Sequence, residues 1–93
     1  MELNNKSLFK QECYIGGKWI NSLSGKTIEV ENPATQETIG SVPKCDAKET
    51  ITAIDSANNA FKDWKNKTAK ERSIVLKQWH DLILENIDDL AHI

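Results

Sequence analysis

From Thr27 to Glu31 apolar and polar residues alternate, and beyond Asp46 apolar residues instead recur every third or fourth position. The first spacing predicts a half-buried strand and the second predicts amphipathic helices. Ahead of the strand, two short β-prone runs flank Gly16-Gly17 in Cys13-Tyr14-Ile15-Gly16-Gly17-Lys18-Trp19-Ile20. A glycine pair supplies the positive φ that a tight hairpin turn needs. Ser24-Gly25-Lys26 is the next turn signal, and Asn32-Pro33-Ala34-Thr35 breaks the strand, because proline has no amide hydrogen and holds its predecessor extended. Thr38–Val42 reads as the returning strand, closed by Pro43.

Asp46-Ala47-Lys48-Glu49 has the form of a capping box, with Asp46 as N-cap and Glu49 reaching back. Ile51, Ile54, Ala57, Phe61 and Trp64 then make one apolar stripe, and the helix is expected to end near Trp64–Asn66. Thr68-Ala69-Lys70-Glu71 repeats the box and opens a second helix. Its stripe runs through Leu76, Trp79, Leu82, Ile83, Ile87 and Leu90, with Leu84 at the margin, and is wider than one small partner helix covers. No glycine or proline follows Pro43, so the second helix is expected to be continuous. It reaches Ile93 with no stop signal, which reads as a cut element. The expected architecture is α+β: an arm over 1–12 with a short helical turn near Ser7–Gln11, a hairpin and strand pair over 13–45, and two antiparallel helices over 46–93.

The chain has 93 residues, 39% apolar and 28% charged, with a net charge of −2. That length makes at most one domain and a modest core. Interspersed charges of both signs give no basic stripe for nucleic acid. The opening MELNNKSLFKQE lacks an apolar targeting core, and no run approaches a membrane span. A cytoplasmic location is the expectation.

Candidate chemistry is sparse. No glycine-rich turn of the dinucleotide or P-loop type occurs, and no metal-binding histidine or cysteine pattern. Cys13 and Cys45 read foremost as free thiols, with a disulfide, a metal site and a nucleophile as lesser alternatives. His80 beside Asp81 invites an acid–base reading, but neighbours on a helix point about 100° apart, so His80 reads as a rim residue and His92 as solvated. Asp88-Asp89 reads as acids near a helix C-terminus, mildly unfavourable to its dipole. Trp64 and Trp79 read as core packing rather than, with Tyr14 and Trp19, as a stacking platform for bases, which needs a basic groove.

From Leu8-Phe9 to Ile93 the order of elements resembles the aldehyde dehydrogenase family. The resemblance rests on Tyr14-Ile15-Gly16-Gly17-Lys18-Trp19, on Val30-Glu31-Asn32-Pro33-Ala34-Thr35, and on Ile39-Gly40-Ser41-Val42-Pro43. Asp46, Glu49, Ala53, Ala57, Ala60-Phe61 and Trp64 follow, then Thr68-Ala69-Lys70-Glu71-Arg72. Gly40-Ser41-Val42-Pro43-Lys44, with Leu8-Phe9 and Thr68–Arg72, is most similar to the succinate-semialdehyde branch. The resemblance implies a parent oxidoreductase of α/β fold with a Rossmann-like cofactor domain. There a cysteine attacks the aldehyde, hydride passes to NAD or NADP, and a glutamate activates water. It also implies that this chain is an incomplete N-terminal part of the cofactor domain, with no catalytic, cofactor-binding or metal residue of its own and no cofactor bound alone. The parent is expected to be a homo-oligomer, and the fragment to self-associate through exposed apolar helix faces. The competing expectation is a stand-alone α+β module that binds a protein partner.

Overall fold

The computed structural model describes residues 2–93. Its elements run β1 (Cys13–Ile15), β2 (Lys18–Ile20), β3 (Thr27–Glu31), β4 (Thr38–Pro43), α1 (Ala47–Trp64), α2 (Ala69–Glu85) and α3 (Ile87–His92), with one 3-10 turn at Lys6–Leu8 before them. The chain separates into two compact units. One is Gln11–Phe61, and the other joins the arm through Lys10 to Lys62–Ile93.

In the Gln11–Phe61 unit, β1 and β2 form the expected hairpin, with Cys13 opposite Ile20, Tyr14 opposite Trp19 and Ile15 opposite Lys18. Gly16 and Gly17 take φ of 61° and 77°, so the turn uses the left-handed freedom that glycine provides. Tyr14 and Trp19 meet across the strands with ring centroids 5.0 Å apart and planes tilted by 52°, within the range where aromatic pairs attract.

β3 and β4 pair antiparallel from Thr27–Pro43 to Glu31–Thr38, with a bulge at Val30/Glu31. The Asn32 side chain accepts from the Ala34 amide at 2.9 Å, and the Gln36 amide closes on the Asn32 carbonyl at 2.7 Å. Gln36 takes a positive φ of 62°. Both strand pairs are thus legible from turn chemistry. The half-burial expected of Thr27–Glu31 is not observed, because all five residues are exposed. The alternation is present, but a two-stranded ladder without a covering layer leaves Ile28 and Val30 in water.

α1 begins as expected. The Asp46 amide donates to Glu49 Oε2 at 2.8 Å, and Asp46 Oδ1 accepts from the Lys48 amide at 2.9 Å. The face that packs is a different one from the stripe of large residues. Ala53 and Ser56 are half-buried and Glu49 is buried, whereas Ile51, Ile54 and Phe61 are exposed. Small residues admit the hairpin's close approach: a Cβ on Gly16 would lie 3.4 Å from Ser56 Oγ.

In the second unit, Thr68 caps α2 with a full capping box, its side chain accepting from the Glu71 amide at 3.2 Å. The expected continuous helix is interrupted at Asn86, where φ is −115° and ψ is 22°. The Asn86 side chain donates to the Leu82 carbonyl at 2.9 Å. Asparagine's capacity for such local bonds breaks a helix without glycine or proline. The broad apolar face of α2 and α3, including Leu76, Trp79, Ile83, Ile87 and Leu90, is exposed. Trp79 is 63% exposed, which corrects the expectation that it packs in a core; Trp64 is half-buried. Among the described residues no large apolar side chain is buried anywhere.

Candidate functional site

Among the described residues the buried polar side chains are Ser22, Glu49 and Asp89, and each is satisfied by backbone. Ser22 Oγ donates to the Lys26 carbonyl at 2.7 Å. Glu49 uses both carboxylate oxygens: Oε2 takes the Asp46 amide, and Oε1 takes the Leu23 amide at 2.8 Å. The Asp46 amide bond, with the Leu23 bond next, holds the Glu49 carboxyl down at about 2, against an ordinary value of 4.5. A group depressed in this way stabilises the fold fully above its unfolded pKa and loses that contribution as pH falls through its folded one. The expected result is a Glu49-dependent loss of stability between about pH 4.5 and pH 2. Urea unfolding midpoints across this window should fall for the native chain. In Glu49→Gln the midpoint should be lower at neutral pH and flatter through the window. Equal pH slopes in the two chains would refute the role.

Asp89 accepts from the Asn4 and Asn5 amides, each at 2.8 Å, pinning the arm to α3. The expectation for Asp88-Asp89 is thereby reversed in sign. Because Asn86 restarts the helix, both acids lie in the first turn of α3, where a carboxylate favours the dipole. The sequence offers no glycine or proline to flag that restart. Asn86 is the only local signal.

His80 Nδ1 lies 3.2 Å from Asp81 Oδ1, closer than helical adjacency suggests. The side chains are 66% and 58% exposed. A pair so open to water lacks the desolvated surroundings that tune an acid–base couple. Beneath the hairpin, Tyr14, Gly16, Gly17, Ala53, Ser56 and Ala60 line a groove. Its lining side chains carry only the Ser56 hydroxyl and the Tyr14 phenol as polar groups, with no carboxylate, imidazole, amine or thiol.

Cys13 and Cys45 are brought together, both half-buried, with sulfurs 3.9 Å apart. Burial first, and the neighbouring Cys13 next, push the Cys45 thiol up from its ordinary value; Glu49 and Asp46 add to the effect. Among the described residues no three His, Cys, Asp or Glu side chains converge as metal ligands. Likewise no described helix is long and apolar enough to cross a membrane.

A profile of the aldehyde dehydrogenase family matches residues 19–93. The chain is 50% identical over its whole length to a glutarate-semialdehyde dehydrogenase of Pseudomonas aeruginosa, and 46% identical to an NADP+ succinate-semialdehyde dehydrogenase of Escherichia coli. In each case it spans 19% of the relative's length. Among solved structures, an NADP-dependent enzyme of E. coli superposes with a TM-score of 0.93 at 46% identity, over 98% of this chain and 19% of that one. A succinate-semialdehyde dehydrogenase from Burkholderia pseudomallei superposes with a TM-score of 0.92 at 46% identity, with the same coverage. The two antiparallel strand pairs and the helices match the N-terminal part of that fold.

Proposed function

This chain belongs to the aldehyde dehydrogenase family, and on that premise we propose that it is the N-terminal scaffold of an oxidoreductase acting on succinate semialdehyde or a near homologue. The parent reaction takes the aldehyde, water and NAD or NADP to the carboxylate and the reduced nicotinamide, in the cytoplasm and within a homo-oligomer. The names of the semialdehyde dehydrogenases to which the chain is about half identical support the substrate class. In this reading the chain supplies no nucleophile, base, metal ligand or cofactor contact. It is an incomplete part of the cofactor-binding domain, and its work is to present strands and helix faces to the rest of the protein.

The observation that carries this reading is the missing core. Burial of apolar surface is the main favourable term in folding, yet no large apolar side chain is buried among the described residues. The α2–α3 face, from Leu76 to Leu90, is a contiguous surface of the kind that meets another protein layer. The same face favours self-association of the 93-residue chain when it is alone.

A chimera tests the proposal. This chain is put in place of the matching segment of the E. coli succinate-semialdehyde dehydrogenase. The chimera should reduce NADP with succinate semialdehyde, while the 93-residue chain by itself shows no turnover. Turnover by the chain alone would overturn the scaffold reading. So would a soluble, assembled chimera without activity.

A further inference from the structure

Cys13 and Cys45 form a pair of nucleophilic side chains that the proposed function leaves unused. Cys13 opens β1, and Cys45 lies between the end of β4 and the first turn of α1. Their sulfurs are in contact at 3.9 Å although the residues are 32 positions apart. A disulfide needs about 2.05 Å, so closure asks for an approach of roughly 2 Å. With no third ligand converging on the pair among the described residues, a metal is poorly served. We propose that Cys13 and Cys45 are an oxidation site that closes to an intrachain disulfide under a hydroperoxide.

The chemistry balances in two steps. The sulfur of Cys13 attacks one peroxide oxygen and the O–O bond breaks. Cys13 becomes a sulfenic acid, and the leaving oxygen takes the thiol proton and departs as water. The sulfur of Cys45 then attacks the sulfenic sulfur. The S–O bond breaks, the S–S bond forms, and the hydroxide released takes the Cys45 proton as a second water. Two thiols lose two electrons, and one hydrogen peroxide gains them to become two waters. Burial and its neighbour push the Cys45 thiol up, so it gives thiolate less readily and is the poorer first attacker on the peroxide. The bond would staple the first strand to the start of α1, a long loop of the kind whose closure constrains the unfolded chain most. None of this needs an aldehyde or a nicotinamide.

The test uses the full chain, reduced and then treated with hydrogen peroxide at low protein concentration. Intact mass should fall by two hydrogens, and peptide mapping without reductant should join Cys13 to Cys45 within one copy. Dithiothreitol should restore the original mass. Closure in the folded chain should be at least about tenfold faster than in urea, since the fold holds the sulfurs in contact. In Cys45→Ser, dimedone should capture a sulfenic acid at Cys13. The proposal fails if oxidation joins different copies, adds oxygens to both sulfurs without bridging them, or closes no faster in the folded chain than in urea. It also fails if both thiols remain open to alkylation after peroxide.

Discussion

Replacing Leu76 and Ile83 together with lysine should weaken the proposed self-association of the chain by about tenfold to a hundredfold. The two residues lie seven positions apart, two helical turns, and so share a face of α2. They are 51% and 40% exposed. Fully covering a leucine or isoleucine is worth about 1.5–3 kcal/mol, so covering the half of each that is still exposed is worth about 0.7–1.4 kcal/mol, and about 1.4 kcal/mol is a tenfold change in affinity. Two such losses put the effect between about tenfold and a hundredfold, before the cost of burying an ammonium is added. Lysine forms helix about as well as leucine, so α2 itself should persist. Sedimentation over a range of concentrations reads the change, with Lys77→Gln as a control of the same helix. Association unaltered by L76K/I83K would take the α2 face out of the interface. In the chimera the same pair should abolish soluble assembly, since in the proposed scaffold role that face meets the rest of the enzyme.

Changing Gly16 and Gly17 together to valine should unzip β1 from β2. Both residues sit at positive φ, 61° and 77°, where a side chain costs about 1–2 kcal/mol each and a β-branched one more. The combined penalty is about 2–4 kcal/mol, large for a two-stranded hairpin that is marginal by itself. The loss comes from the backbone more than from crowding, because a Cβ at Gly16 finds its nearest neighbour at 3.4 Å and one at Gly17 finds nothing within 4 Å. Asparagine tolerates the left-handed region, so Gly16→Asn with Gly17→Asn should recover part of the loss, which separates conformational strain from bulk. Amide exchange at Ile15 and Lys18, together with Trp19 fluorescence, would register the opening. Unchanged protection in the double valine chain would mean that the turn does not depend on positive φ.

Local rules made much of this fold legible. Gly16-Gly17, Asn32-Pro33 and the boxes at Asp46 and Thr68 mark turns and helix starts through bonds between near neighbours, and the structure has those bonds. Burial was far less legible. Periodicity in β3 and along Ile51, Ile54 and Phe61 says which residues share a face, while what covers that face depends on other layers. Here the large residues stay exposed, and the row of Glu49, Ala53 and Ser56 packs instead. The break at Asn86 also escaped, because asparagine inside an apolar pattern is only a weak breaker. With it went the roles of Asp89, which depends on the arm at Asn4 and Asn5 far away in sequence. The meeting of Cys13 with Cys45 is non-local for the same reason. Family membership was legible from the order of weak motifs, and the comparison over residues 19–93 agrees with it.

Glu49 satisfies two amides that belong to different segments, Asp46 at the start of α1 and Leu23 in the loop after β2. A glutamine there keeps a single carbonyl oxygen, and its amide nitrogen only donates. Glutamine can therefore serve only one of the two segments and an apolar residue neither, so that a single apolar substitution at position 49 is two lesions. A lineage drifting from glutamate to an apolar residue would need two separate compensations, a new cap for α1 and a new acceptor for the Leu23 amide, before both segments regained their shape.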